Sequence, residues 1–321
     1  MSESSSSSPS PILLSLARAY PHDPAHLHTV IIPQLTHRLR LTTVWSIAPS
    51  TKVLDIGCGQ GDSALVLSHA VGPPTPDGSN TTSAGAASGV PPGPGHVTAL
   101  DPAPGAYGAP YTLAESQSYI LSSPYGARIT FHQSDAPAYL ASNPSASFDS
   151  ATLCHSLWYF PSRAAISSLF ESLYSSGQIK RLCFAEYSLK ARTSSQKPHE
   201  MAVAVQKRFH ELREDRGFTL HQANVRGALD PEEMVTLAQE AGWELRERGV
   251  VDTPGMLDGH WEVGAVIDPS WTEEVVGEGL EREAEEELLE RVAEIKAAVA
   301  NLKENGEKVT TMDAVWVVME R

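Results

Sequence analysis

The residues with the clearest chemical potential lie in one short run, Asp55-Ile-Gly57-Cys58-Gly59-Gln-Gly61. Glycines at this spacing let a chain turn tightly after a strand and let backbone N–H groups approach a ligand. The helix expected to follow turns its positive end to the same place, which favours an anionic group such as a phosphate or a carboxylate. A dinucleotide fingerprint would need a third glycine at position 62 or 64, and those positions hold Asp and Ala. An alanine is tolerated there, so the spacing alone leaves a dinucleotide open. Asp55, two residues before the first glycine, tips the balance away from it.

Further acids and aromatics fall at the ends of apolar runs. Asp101 closes HVTALD, Asp135-Ala136 follows ITFHQS, and His155, Trp158 and Tyr159 follow FDSATLC. Glu186 and Tyr187 follow RLCFA. In an open parallel sheet, residues at the carboxyl ends of strands line the ligand crevice. His155 is the candidate general base, because an imidazole titrates near neutrality; a structural histidine is the equal alternative. Trp158 and Tyr159 are candidates for an aromatic acceptor wall, with a core role as the alternative, and Tyr187 is a further candidate acceptor contact. His260-Trp261 is a weaker candidate acceptor contact. His22-Asp23…His26…His28 reads as a solvated loop or lid rather than a metal site, and no metal is expected.

These residues need elements to hold them. The patterning predicts strands at Lys52–Ile56, His96–Leu100, Ala127–Phe131, Phe148–Cys154, Arg181–Ala185, Trp243–Val251 and Thr311–Val318, with a further one at Trp261–Ile267. Helices are expected near Ile12–Tyr20, at Ala25–Ile47 with a break at Pro33, after the glycine turn from Asp62 or Ser63, and at Pro198–Arg213 and Pro231–Ala241. A long amphipathic helix is expected at Leu280–Leu302, with the stripe Leu280, Ala284, Leu288, Val292, Ile295, Val299, Leu302. Strands alternating with helices imply a mainly parallel sheet covered on both faces. Residues 1–11 are Ser/Pro-rich and read as a disordered tail; residues 72–95 are Gly/Pro/Ser/Thr/Ala-rich and read as a flexible insertion. Residues 12–321 then read as one domain.

Composition limits the partners. The 321 residues carry 39 acidic and 24 basic side chains, a formal net charge of −15, with no basic cluster of the kind nucleic-acid binding requires. Much of the excess acid falls in residues 272–304, which hold eleven Glu against four basic residues. Three scattered cysteines argue against a disulfide framework or a zinc site. No apolar stretch approaches membrane-spanning length and the start lacks a secretory pattern, so a cytoplasmic protein, monomeric or homodimeric, is expected.

VLDIGCGQG resembles the first motif of the class I S-adenosylmethionine-dependent methyltransferases, and the resemblance covers roughly residues 50–245. It implies α/β architecture: a Rossmann-like, seven-stranded, mainly parallel sheet with helices on both faces, an N-terminal helical lid and an added C-terminal helix before the last strand. It implies S-adenosylmethionine as cofactor. Asp55, Gly57, Cys58, Gly59 and Gly61 would run under its methionine and ribose portion. Asp101 would hold the ribose hydroxyls, and Asp135-Ala136 would contact the adenine. The strand end CHSLWYF lacks the motifs of nucleic-acid methyltransferases, and no Asp-Asn pair resembles the magnesium site of catechol-type members. Metal-independent methyl transfer to an oxygen, nitrogen or sulfur atom of a small molecule is the expected activity. A non-methylating enzyme or binding protein on the same fold, or a protein methyltransferase, stays open.

Overall fold

A computed structural model describes residues 9–72, 95–213 and 225–321. The insertion expected at 72–95 and most of the N-terminal tail thus lie outside the described residues. The chain divides into two compact units, Met1–Asp135 and Ala136–Arg321.

The first unit contains α1 (Pro11–Arg18), α2 (Ile32–Val44), β1 (Lys52–Ile56), α3 (Asp62–Ala70), β2 (His96–Asp101), α4 (Leu113–Leu121) and β3 (Ile129–Gln133). Its strands are parallel in the order β3-β2-β1, with Asp55 opposite Ala99 and Asp101 opposite Gln133. β1 and β2 are apolar without alternation because both faces are covered: Val53, Leu54, Val97 and Ala99 have no exposed surface. Val53 and Val97 join Leu16, Leu35, Leu65 and Ile129 in one core. The helix expected across 25–47 is not continuous. Residues 24–26 form a 3-10 turn and Leu27–Ile31 a π turn before α2 begins. Pro33 does not break α2. It is the second residue of that helix, a first-turn position that proline tolerates.

The second unit contains α5 (Ala136–Ser142), β4 (Phe148–Cys154), α6 (Arg163–Ser175), β5 (Ile179–Tyr187), α7 (Lys197–Leu212), α8 (Pro231–Glu240), β6 (Glu244–Val251), α9 (Asp258–Ile267), α10 (Pro269–Gly277), α11 (Arg282–Glu304) and β7 (Ala314–Glu320). β4 and β5 are parallel; β7 lies antiparallel between β5 and β6. The seven strands make the mainly parallel sheet of a Rossmann-like fold. β5 runs two residues past the expected end, so Glu186 and Tyr187 are strand residues. Trp261–Ile267 is not a strand but the body of α9. Gly259, Val263 and Val266 are its buried positions, a helical spacing. Three helices, not one, separate β6 from β7. Leu288, Val292 and Ile295 of α11 pack with Ala202 and Phe209 of α7, Val263 of α9 and Trp271 of α10.

One acid sits within this helical layer. Glu262 on α9 accepts a 2.6 Å hydrogen bond from Gln206 Nε2 on α7. Burial pushes its carboxyl up to about 7, against the Gln206 bond and with help from Asp258. An acid whose folded value is raised costs nothing below its unfolded value of 4.5, and the cost is complete above 7. Gln206 Oε1 is also buried with no partner among the described residues, and an amide at 262 offers it a donor. Glu262→Gln should therefore raise unfolding free energy by about 1–3 kcal/mol at pH 8 and change little near pH 4.5. Denaturant titrations across that range test it; a gain independent of pH would remove the carboxyl as its cause.

Candidate functional site

The glycine turn of the first unit is shaped by its own backbone. Gly57, Gly59 and Gly61 have φ of 72°, 52° and 96°. At Gly61 a Cβ would come within 2.9 Å of Ile120 and Phe131, so glycine is required by conformation and by space alike. At Gly59 a Cβ would meet nothing within 4 Å, so open space lies over the turn. The N–H groups of Gly57 and Cys58 both donate to Leu100 O, tying the turn to the end of β2. Gly61 occupies the N-cap of α3, and Asp62 is the first helical residue.

Asp101 stands at the end of β2. Its Oδ2 accepts from Gly59 N and its Oδ1 from Ala103 N, each at 2.9 Å. Each carboxylate oxygen keeps acceptor capacity for one further donor, as two vicinal hydroxyls require. Ser134 N donates to Asp101 O, so Asp135 is held near the same strand end and is exposed. Ala136, which begins α5 in the second unit, is buried. Asp55 is buried too, and it accepts from Ser63 Oγ at 2.6 Å, pinning the start of α3 to β1. Cys58 is buried, and burial, followed by the charges of Asp55, Asp101 and Asp62, pushes its thiol well above the ordinary range. It is a thiol, not a thiolate, at neutral pH. The N-terminal segment reaches the same turn. Tyr20 Oη donates to Gln60 Oε1, Gln60 Nε2 donates to Tyr111 O, and Gln117 Nε2 donates to Gly59 O.

In the second unit a tight cluster surrounds the ends of β4 and β5. His155 has a φ of 54°, a left-handed conformation that a non-glycine residue adopts at a cost of roughly 1–2 kcal/mol. It is buried, and its Nδ1 lies 3.3 Å from Glu186 Oε1. Glu186, at 1% exposure, also accepts from the backbone N–H groups of Leu157, Trp158 and Tyr187. A carboxylate already holding three N–H donors keeps the proton of His155 on Nδ1, which makes Nε2 the basic nitrogen. The His155 and Tyr187 rings stack with centroids 4.1 Å apart. Trp158 is buried edge-on to Tyr187, with Nε1 donating to Leu229 O.

His155, Trp158 and Tyr187 are thus brought together. Tyr159, on the one-turn helix Leu157–Tyr159, is exposed, as are His260 and Trp261 on α9. Two features of this cluster were not legible in the sequence: the hold of Glu186 on His155, and His199 of α7, whose ring joins the same cluster. Their partners lie 31 and up to 113 residues away. Asp23 caps the 3-10 turn at 24–26, and His22 Nδ1 lies 2.7 Å from Tyr20 O. Among the described residues no group of three or more His, Cys, Asp or Glu is arranged to hold a metal ion. No helix among them is long and apolar enough to cross a membrane.

A Rossmann-like sheet, a left-handed glycine turn and an acid closing the second strand define a class I S-adenosylmethionine-dependent methyltransferase. Known proteins agree. Methyltransferase phomM' and methyltransferase phomM of Diaporthe leptostromiformis are each 32% identical to this chain over 346 residues, spanning 92% of this chain and 85% of theirs. A crystal structure of a cyclopropane-fatty-acyl-phospholipid synthase-like protein from Lactobacillus casei superposes with a TM-score of 0.75 at 25% identity, covering 96% of this chain and 98% of that one. No family model matches the chain. The chain belongs to the methyltransferase family of these relatives, it is an enzyme, and its cofactor is S-adenosylmethionine. The residues of the glycine turn fit that group, with open space over Gly59 and acceptor oxygens on Asp101.

Proposed function

We propose that the protein methylates an oxygen, nitrogen or sulfur atom of a small molecule without a metal, with His155 as general base. The observation that carries this is the His155–Glu186 pair, a buried imidazole fixed in one tautomer by a carboxylate. Bound S-adenosylmethionine supplies an electrophilic methyl group on a sulfonium. The protein has to align the acceptor and, where the acceptor atom carries a proton, remove it. His155 Nε2 takes that proton; the acceptor lone pair forms the bond to the methyl carbon; the carbon–sulfur bond breaks and its electron pair stays on sulfur as S-adenosylhomocysteine. Glu186 stabilises the imidazolium so formed. Trp158 and Tyr187 give the acceptor an aromatic wall, and Tyr159 its exposed rim. His260 and Trp261 meet no more than the outer part of an acceptor.

Asp101 accepts both ribose hydroxyls, Gly57–Gly61 passes under the methionine and ribose portion, and Asp135 with Ala136 contacts the adenine. Asp55 and Cys58 serve the turn from beneath. Asp101→Ala should weaken S-adenosylhomocysteine binding by about 1–3 kcal/mol, because two hydroxyls and the Gly59 N–H lose a charged acceptor. Calorimetry reads this directly, and unchanged affinity in a folded variant would assign the ribose to another residue. The activity is tested by incubating the protein and isotope-labelled S-adenosylmethionine with a metabolite extract, with and without a chelator. Label appearing in a small molecule regardless of chelator is expected. Label confined to protein would overturn the small-molecule reading.

A further inference from the structure

His199 enters neither the cofactor turn nor the base pair, yet it is completely buried against both aromatic members of the second cluster. Its ring centroid lies 5.6 Å from that of Tyr187 and 6.3 Å from that of Trp158, steeply inclined to both. Its Nδ1 accepts the backbone N–H of Met312 at 3.0 Å. A ring that accepts at Nδ1 while neutral carries its proton on Nε2. It is neutral: burial, and then the proximity of His155, push it down to about 3. The Nε2–H donor is buried and has no hydrogen-bond partner among the described residues. An unmet buried donor costs roughly 1–3 kcal/mol. The clamp to Met312 accounts for Nδ1 and leaves Nε2 unexplained; a ring needed for packing alone would carry no such donor.

Resting on the methyl-transfer reading above, we propose that His199 Nε2–H is the hydrogen-bond donor that orients the methyl acceptor, and that it takes a neutral carbonyl oxygen of that molecule. Position favours an acceptor group over a structural one, because Tyr187 stacks on His155 and packs on His199, so donor and base share one set of rings. Charge favours a carbonyl over a carboxylate. His199 brings no positive charge, so an anion there would be buried without a counterion. His199 has no exposed surface, so Trp158 and Tyr187, the wall the acceptor meets, have to part for its oxygen to reach Nε2. The acceptor class is an amide- or ketone-bearing molecule whose methylated atom lies near its carbonyl.

The test uses the full chain loaded with S-adenosylhomocysteine and labelled with 15N-histidine. The probes are N-methylacetamide, a neutral carbonyl, and acetate. N-Methylacetamide should move the His199 Nε2–H proton downfield in a saturable way and perturb His155, while acetate leaves both in place. His199→Asn keeps an acceptor where Nδ1 stood, so Met312 stays paired, but withdraws the donor from the Nε2 position, its NH2 lying where Cδ2 stood. It should weaken the response of His155 to N-methylacetamide about 10-fold, with S-adenosylhomocysteine affinity unchanged. His199→Gln restores an N–H near Nε2 and should recover the response. A His199 proton that ignores both probes is satisfied by a ring face or a buried water and overturns the proposal. A response to acetate alone overturns the carbonyl class. Failure to bind S-adenosylhomocysteine appears separately in calorimetry and would sink the methyl-transfer reading together with this one.

Discussion

His155→Ala should lower turnover about 10²- to 10⁴-fold while S-adenosylmethionine affinity stays within about 2-fold of wild type. The magnitude is that of a lost general base, and the split between turnover and affinity follows from where the residue stands. In the second unit the backbone N–H of His155 donates to Ala185 O, its Nδ1 meets Glu186, and its ring stacks on Tyr187. The glycine turn and Asp101 belong to the first unit and are held by bonds such as that of Gly59 N to Asp101, which does not involve His155. Wild-type turnover should also fall on the acid side as the imidazole takes a proton from solvent, and that acid limb should vanish in the variant. An acceptor that is already a good nucleophile would leave turnover nearly unchanged. A histidine that packs against the cofactor would instead weaken its binding. Turnover, affinity and the pH profile of one variant thus separate the readings, and near-wild-type values of all three would remove His155 from the chemistry.

The backbone of the cofactor turn was legible because its causes are local. A β-branched run, three glycines and a helix start lie within a dozen residues, and β1, β2 and β4 start where their apolar runs do. Elements failed where two periodicities coincide over a short window. In WEVGAVI the alternation of Trp261, Val263, Ala265 and Ile267 satisfies a strand reading, while the buried Val263 and Val266, three residues apart, satisfy a helical one. What decides is Gly259, whose missing Cβ lets α9 lie against the Thr310–Thr311 backbone, a neighbour fifty residues on. β3 starts two residues late because Gly126–Arg128 form a 3-10 turn in which a side chain at 126 would strike the Leu121 carbonyl. The reaction cluster was half legible. Strand ends selected His155, Trp158, Glu186 and Tyr187. They could not reveal which carboxylate holds the imidazole, nor that Met312, from the segment before β7, fixes the tautomer of a histidine on α7. Those are tertiary facts, and no spacing encodes them.

Glu186→Gln is the substitution expected to separate orientation from presence of the base. The carboxylate accepts from three backbone N–H groups and faces the Nδ1–H of His155. A glutamine is the same size but has one oxygen. Its NH2 must point either at the N–H groups of Leu157 and Trp158, which share Oε2, or at Tyr187 N–H and His155, which share Oε1. The first choice leaves buried backbone donors unpaired, at roughly 1–3 kcal/mol for each. The second turns His155 Nδ1 into an acceptor, moves its proton to Nε2 and so removes the basic nitrogen. Either way the left-handed turn at His155 loses part of what holds it in place. Turnover should fall about 10²- to 10⁴-fold, as when a catalytic imidazole is held in the wrong tautomer. The melting temperature should fall too, while S-adenosylhomocysteine affinity remains. The distinguishing readout is 15N NMR of His155 at neutral pH: Nδ1-protonated in the wild type, and Nε2-protonated in the variant when its NH2 faces His155, the orientation that leaves one backbone N–H unpaired rather than two. A variant that keeps its turnover and its tautomer would show that Glu186 serves the turn alone and that His155 needs no partner to act.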